Sequence, residues 1–383
     1  MNNVSPHHTV TNVAIVGGGL AGLSLSIQLT KKGYSVVLFE KETYPFHKVC
    51  GEYISMESWD FIQSLGVDLD KLNVSHISQL EVSAPNGNLI QHTLPLGGFG
   101  ISRYLLDNTL AQIAQSNGVI IKKNTKVTDI VFANDVFDIH AEGNIYKAKI
   151  VCGSFGKRSN LDVKWKRPFA LAAKSNSNNY VGIKYHVTAD LPADTISLHN
   201  FQDGYCGISK IEDGKYCLCY LTTASNLKKS KGNIKLMEQN ILSKNPHLKN
   251  LFSSVEILCD APLTISQISF DKKSQVDDHI LMIGDAAGMI APLCGNGMSM
   301  ALHASKLAFE QVNAFLQNDI SREKMEQRYL EQWNHHFSKR LKAGRIIQKL
   351  FGNKTITNIF ITTLKPFPKF VNYLIKQTHG QAF

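Results

Sequence analysis

Residues 12–40 read NVAIVGGGLAGLSLSIQLTKKGYSVVLFE, and the fold class follows from how that stretch divides. Asn12 to Val16 has the length and apolar character of a short buried strand. Gly17-Gly18-Gly19-Leu20-Ala21-Gly22 follows at once, and Leu23, Leu25, Ile27 and Leu29 mark a helix from about Leu20 to Lys32. Gly33 stands where a helix C-terminus takes glycine. A second strand, Ser35 to Phe39, ends in Glu40, which lies 18 residues beyond Gly22. Each part has a physical use. Gly17 makes the tight turn out of the strand, Gly19 admits a diphosphate to the backbone, and Gly22 lets helix and strand pack closely. The helix start at Leu20 and Ala21 offers free N–H groups to the phosphates. Glu40, with Lys41 beside it, stands where a carboxylate accepts the hydroxyls of an adenosine ribose and repels a 2′-phosphate. The pattern predicts a dinucleotide site without separating FAD from NAD.

Residues 280–302 read ILMIGDAAGMIAPLCGNGMSMAL: a strand ending at Gly284-Asp285, a glycine-containing loop through Pro292, and a helix opening over Gly295-Asn296-Gly297-Met298. The two signatures together resemble the FAD-dependent oxidoreductases of the p-hydroxybenzoate hydroxylase type, which include aromatic hydroxylases, geranylgeranyl reductases and flavin-dependent halogenases. The resemblance spans Val13 to about Leu316. It implies that Asp285 holds the ribityl chain of FAD and that the helix after Gly295 points its N-terminus at the flavin. A helix N-terminus stabilises the negative charge of a reduced flavin. It further implies that Arg103, at the opening of a helix, touches FAD, that the backbone of Val127 meets the adenine, and that Cys50 and Glu52 lie in a loop beside the flavin. A structural role for Cys50 reads nearly as well.

The same resemblance is broken in two places. A third motif of the hydroxylases carries Asp-Gly, and here the stretch 151–159 reads VCGSFGKRS, with Phe155 at the aspartate position. No second G-x-G-x-x-G opens a helix, so NAD(P)H, if it reduces the flavin, must dock transiently; Lys157 and Arg158 are candidates to meet its phosphates. The halogenase W-x-W-x-I-P signature is absent, since Trp59, Trp165 and Trp333 stand apart. The chain also lacks G-x-S-x-G, H-E-x-x-H and a Walker loop, which removes the hydrolase, metalloprotease and NTPase readings.

Between the two signatures, 180–187, 195–201, 205–211, 216–222 and 264–270 read as strands, and Glu212-Asp213-Gly214-Lys215 as a hairpin turn. Aromatics there, Tyr180, Tyr185, Tyr205 and Tyr220, are candidates to line a substrate cavity. The net charge of +10 arises almost wholly after Glu331, where no acid occurs and Lys339, Arg340, Lys342, Arg345, Lys349, Lys354, Lys365, Lys369 and Lys376 do. A nearly neutral body argues against a nucleic-acid enzyme. The basic, partly apolar tail reads either as a helical cap with solvated lysines or as a segment leaning on anionic lipid. Seven scattered cysteines and a polar N-terminus without an apolar core favour a reducing cytoplasm over secretion.

These readings predict an α/β chain: a tail at 1–11; a Rossmann-type FAD-binding domain from 12–166 and 272–320; an inserted antiparallel β-rich substrate domain at 167–271; and a helical C-terminal cap at 321–383. No metal site is read. The leading expectation is a monooxygenase acting on a small aromatic, polyketide-like or lipid-like substrate. A reductase of an isoprenoid-type double bond comes second, followed by a halogenase and, in another class, a flavin-binding protein without enzymatic activity. Oligomeric state is not legible.

Overall fold

A computed structural model describes residues 10–172, 179–291, 293, 295–351 and 353–383; the expected tail up to residue 9 and Pro292 lie outside the described residues. β1 (Thr11–Val16), α1 (Leu20–Lys31) and β2 (Val36–Phe39) form the expected first unit. The chain leaves it through β3 (Tyr53–Ser55), α2 (Trp59–Ser64), β4 (Ser75–Ser83) and β5 (Leu89–Gly100). It returns with α3 (Arg103–Ser116), β6 (Ile120–Lys122), β7 (Val127–Ala133), β8 (Val136–Ala141) and β9 (Asn144–Gly153). The short helices α4 (Asn160–Lys164) and α5 (Pro168–Ala172) precede β10 (Tyr180–Thr188), β11 (Thr195–Phe201), β12 (Gly204–Lys210) and β13 (Tyr216–Thr223). Next come α6 (Ala224–Lys229), α7 (Ile234–Asn240), α8 (Pro246–Ser254), β14 (Glu256–Ile257), β15 (Leu263–Ile268), β16 (Val276–Asp277) and β17 (Ile280–Met282). Four helices follow: α9 (Gly297–Leu316), α10 (Arg322–Phe351), α11 (Lys354–Leu364) and α12 (Pro368–Thr378).

Eight strands make the first sheet, in the order β16-β17-β9-β1-β2-β6, with β7 and β8 joined to the edge of β9. The pairs β1–β2, β1–β9, β2–β6 and β17–β9 are parallel. Because β17 pairs Leu281 with Cys152 of β9, and β9 pairs with β1, the second signature enters one strand away from the first although most of the chain separates them. Both then end at the carboxyl edge of parallel strands, where open α/β sheets bind ligands. Val13, Ala14 and Ile15 are fully buried, as are Leu23, Leu25 and Ile27 of α1, so strand and helix share one dry core. Gly22 is obligatory there: a Cβ would stand 2.1 Å from the Gly17 carbonyl oxygen and 3.2 Å from Ile15.

The second sheet has nine strands, ordered β14-β10-β13-β12-β11-β4-β5-β3, with β15 also on β10. It departs from expectation in two respects. Residues 53–100, assigned by sequence to the FAD-binding domain, supply three of its strands. The pairing of β11 with β4 is parallel, matching Thr195 with Gln79 and His199 with Ser83. A contact between positions more than a hundred residues apart leaves no trace in local periodicity, so the domain boundary could not be placed from it.

The C-terminal region is a cap. Tyr329 of α10 donates to the Met282 carbonyl oxygen at 2.7 Å, and Trp333 packs so closely on Gly288 that a Cβ there would lie 2.9 Å from its ring. α11 and α12 lay Ile361, Leu364 and Val371 over Ala84 and Ile90, by the β4–β5 turn. Among the described residues no helix is long and apolar enough to cross a membrane.

Arg167 staples the loop that carries Asp285. Its guanidinium is buried, 2.7 Å from Asp162 and 3.1 Å from Asp277, and donates to the carbonyl oxygens of Ala286 and Ser274. Removing one partner of a buried pair leaves the other charge uncompensated, at about 3–5 kcal/mol. Arg167→Met is therefore expected to lower unfolding free energy by about that amount in urea titration. A change under about 1 kcal/mol, the size of an exposed pair, would show that the staple carries no weight.

Candidate functional site

One cavity of about 1300 Å³ runs between the two sheets. Gly17, Gly19, Leu20, Ala21, Glu40, Lys41, Cys50, Glu52, Arg103, Val127, Asp285, Gly295, Gly297 and Met298 all line it. Residues from both signatures thus face one space. Two of the cofactor residues singled out by sequence do not: Gly22 is packed beneath the loop, and Asn296 is buried with its amide donating to the Thr378 carbonyl oxygen, which fastens the end of α12 to the start of α9. Of the four tyrosines expected at a substrate cavity, Tyr205 and Tyr220 line it, whereas Tyr180 and Tyr185 do not, the Tyr185 hydroxyl donating to Glu238.

At one end, Glu40 and Lys41 of the β2 terminus stand with Thr125, Lys126 and Val127. The Glu40 carboxylate accepts from the backbone N–H of Gly18 at 2.8 Å and of Glu42 at 3.1 Å, so besides facing the cavity it shapes the glycine loop. In the middle, α1 presents an uncapped N-terminus: Gly19 at the N-cap supplies no side-chain hydrogen bond, and the first turn has no acid. By contrast α3, capped by Ser102 Oγ on Leu105 N–H at 3.1 Å, is satisfied from within. Two cations close the cradle over α1. A Cβ at Gly19 would lie 3.7 Å from the Arg103 guanidinium and 3.8 Å from Lys48 Nζ. Both cations are held by the buried Asp107, through Arg103 Nε at 2.7 Å and Lys48 Nζ at 3.0 Å. Burial pushes the Asp107 carboxyl up, but Arg103 and Lys48 outweigh it and leave it below the usual range. One carboxylate against two cations leaves net positive charge facing the helix end, the electrostatics of a diphosphate site.

At the far end α9 presents a second uncapped N-terminus, with no acid in its first turn. Gly295 takes φ +66° and packs on the Tyr53 ring, where a Cβ would come within 3.1 Å. Asp285 stands beside it, its carboxyl raised by burial against the opposing charges of Lys273, Arg103 and Lys157. Phe155 lines the cavity where the hydroxylases' acid would be. Lys157 donates to the Ser266 carbonyl oxygen and Arg158 to Gln267 Oε1 at 2.5 Å, so both brace β15.

Glu52 was expected beside the flavin, but sequence reasoning missed its partners Lys184 and His186. Glu52 holds φ +55° and is fully buried. Its carboxylate accepts from Lys184 Nζ, from the Arg103 backbone N–H at 2.8 Å, and bonds His186 Nε2 at 2.7 Å. Lys184 and His186 come from β10, and their i, i+2 spacing puts them on one face. That alternation was the available signal: a lysine and a histidine flanking Tyr185 in a strand otherwise apolar. Burial raises Glu52, but the His186 hydrogen bond and the Lys184 charge outweigh it and hold the carboxyl below its ordinary value. Burial lowers Lys184, but Cys217 and Glu52 outweigh it and hold the ammonium above its own. Cys217 Sγ lies within 4.8 Å of the ligand atoms of Glu52 and His186, yet the Lys184 ammonium on the same carboxylate opposes a metal cation. Cys50 faces the cavity, and burial pushes its thiol up. The six described cysteines are free thiols.

Two uncapped helix ends, two cations and a glycine without a side chain fit an extended dinucleotide with an anionic centre, and the site defines a flavoprotein. Residues 10–162 match the FAD binding domain family. Over 366 residues the chain is 26% identical to conditioned medium factor receptor 1 of Dictyostelium discoideum, covering 86% of this chain and 69% of that one. It is 23% identical to digeranylgeranylglycerophospholipid reductase 1 of Methanococcoides burtonii, across 89% of this chain and 83% of the other. Its fold matches the flavin-dependent brominase Bmp2 with a TM-score of 0.78 at 21% identity, covering 98% and 94%. The N-terminal part of the chain is an FAD binding domain, and the whole chain has the fold of the flavin-dependent brominase.

Gly19→Ala is expected to fold normally, since its Cβ meets nothing nearer than 3.7 Å, yet to weaken FAD binding roughly tenfold or more by filling the cradle. Gly22→Ala should instead lower the melting temperature of the apoprotein. Flavin absorbance and thermal unfolding separate the two, and equal behaviour of both variants would contradict the division of labour. Glu52 and Lys184 set a pH window. The lowered carboxyl contributes stability above its unfolded value of about 4.3, lost as pH falls through the folded one. The raised ammonium contributes below about 10.4, lost as pH rises through its folded value. As pH falls from about 5 through the unfolded value of about 4.3 and below, wild-type urea midpoints should fall more steeply than those of Glu52→Gln. Parallel curves would count against an ionised Glu52.

Proposed function

We propose that this flavoprotein is an oxidoreductase whose substrate is an elongated, largely apolar molecule, and that it saturates a double bond in that molecule. The observation that carries the reading is the apolar arm of the cavity. Beyond the cofactor cradle it continues between Leu80, Val82, Ile90 and Leu94 of β4 and β5, Ile196 and Leu198 of β11, and Ile361, Leu364, Leu374 and Ile375 of the cap. Its volume exceeds the roughly 300–1,000 Å³ usual for a single small ligand, as a site for a dinucleotide and a second molecule must. Walls that are mostly aliphatic, with His92 and His379 among them, favour a hydrocarbon chain. The likeness to a digeranylgeranylglycerophospholipid reductase over nearly the whole chain supports the same substrate class.

FAD, when bound, supplies hydride transfer. The cradle of α1, Arg103 and Lys48 would hold its diphosphate, Glu40 and Val127 its adenosine end, and Asp285 with the start of α9 its other end. The chain's own task is to orient the apolar substrate, exclude water and deliver a proton. The Cys50 thiol is suited to the last of these: burial keeps it protonated, and it faces the cavity two residues from Glu52. The Glu52–His186 hydrogen bond offers a route by which such a proton is replaced. Reducing equivalents come from NAD(P)H docking transiently or from a partner protein. Oxygen transfer to the same class of substrate is the second reading, supported by apolar walls that would exclude water from the site.

Under anaerobic conditions, the reduced protein with a polyprenyl lipid should return to the oxidised flavin spectrum while the lipid gains two hydrogens by mass. Cys50→Ala should keep its flavin and lose about a hundredfold in turnover. Leu198→Trp should raise KM with the flavin retained. A strict oxygen requirement with an oxygen-bearing product would sink the reductase reading in favour of the monooxygenase.

A further inference from the structure

α11 and α12 are apolar on two opposite sides. Their inner sides supply Ile361, Leu364 and Val371 to the cap and wall the apolar arm of the cavity. Their outer sides expose Ile356 (45%), Ile359 (62%), Phe370 (48%) and Tyr373 (56%), with Phe367 (57%) in the connection between them. The spacings 356/359 and 370/373 each place a pair on one helical face, and the Phe370 and Tyr373 rings stack at 6.1 Å. Single exposed apolar residues need no explanation, but a row of them on two adjacent helices does.

Charge identifies what covers the row. Lys354, Lys365, Lys369 and Lys376 are exposed among these residues, and no acid occurs after Glu331 to neutralise them. Arg340, by contrast, is inward and spent on Glu57 at 3.4 Å. Aromatic and aliphatic side chains flanked by long lysines suit a boundary that is apolar below and anionic above, with lysine stems lying along the apolar layer and ammonium groups at the headgroups. We propose that the outer face of α11 and α12 docks the protein on an anionic lipid bilayer. The docking face and the cavity wall are then two sides of the same pair of helices, so a lipid leaving the bilayer meets the cavity behind a single layer of protein. This surface is independent of which redox reaction the flavin performs.

The test uses the full, FAD-loaded protein sedimented with vesicles of phosphatidylcholine alone or mixed with phosphatidylglycerol. Binding is expected to the mixed vesicles, weakened by salt, and little to phosphatidylcholine alone. Lys365→Gln and Lys369→Gln should each lower partitioning by about fivefold, and Phe367→Ser with Phe370→Ser should abolish it, with flavin absorbance and melting unchanged. Should the serine variants lose their fold, Tyr373→Trp replaces them, with a blue-shifted fluorescence component expected only with mixed vesicles. Failure to sediment with either vesicle overturns the proposal. So does a dimer in solution that Phe370→Ser dissolves, which would assign the face to a second copy of the chain.

Discussion

The buried carboxylate of Glu52 is the constraint on which the site depends. An ionised carboxylate without water is tolerable only when charges and donors surround it. Its partners come from both parts of the chain: the Arg103 N–H from the first, Lys184 and His186 from β10 of the second. Glu52 precedes β3 and its partners Lys184 and His186 stand on β10, near the opposite ends of the second sheet, so the group is satisfied only when that sheet curls to bring those strands together. The same residue holds a left-handed backbone, φ +55°, an uncommon conformation for a side chain with a Cβ. That local cost is offset by the surrounding bonds, and it aims the adjacent Cys50 and Gly51 along the cavity wall.

The cofactor half of the site was legible because its chemistry is written in backbone requirements. Gly17, Gly19 and Gly22 each answer to a measurable crowding or vacancy, and Asp285 with Gly295 repeats the theme at a second helix end. Local sequence is enough for such a pattern, and each strand–turn–helix unit announces itself. What was hidden depends on contacts across the chain. The membership of β3, β4 and β5 in the second sheet rests on a parallel pairing with β11, and the ionic cluster rests on β10 reaching Glu52. Lys184 and His186 look like solvent-facing positions of an alternating strand until that strand's outer neighbour is known. Asn296 misled for a related reason: its place in the motif suggested the cofactor, whereas its amide is taken by Thr378, far away in sequence.

The cap shows how one segment meets two demands. The tail read either as a helical cap packed on the body or as a segment leaning on anionic lipid, and the helices carry apolar residues on both sides. The cap packs on the body, and other apolar residues of the same helices stay exposed. Ile361, Leu364 and Val371 close the apolar arm, while Ile359, Phe370 and Tyr373 remain outside. The ends of α1 and α9 show the same economy in reverse, since both lack a side-chain cap and residues of both first turns line the cavity.

The insertion of β17 beside β9 has a consequence for biosynthesis. Residues 11–153 can lay down the strands around the glycine loop early, yet the parallel sheet lacks its member at 280–282, and with it the second helix end, until most of the polypeptide has left the ribosome. Contacts so distant in sequence form late. A chain ending before that strand holds only the first half of the nucleotide grip and leaves the free edge of β9 unpaired.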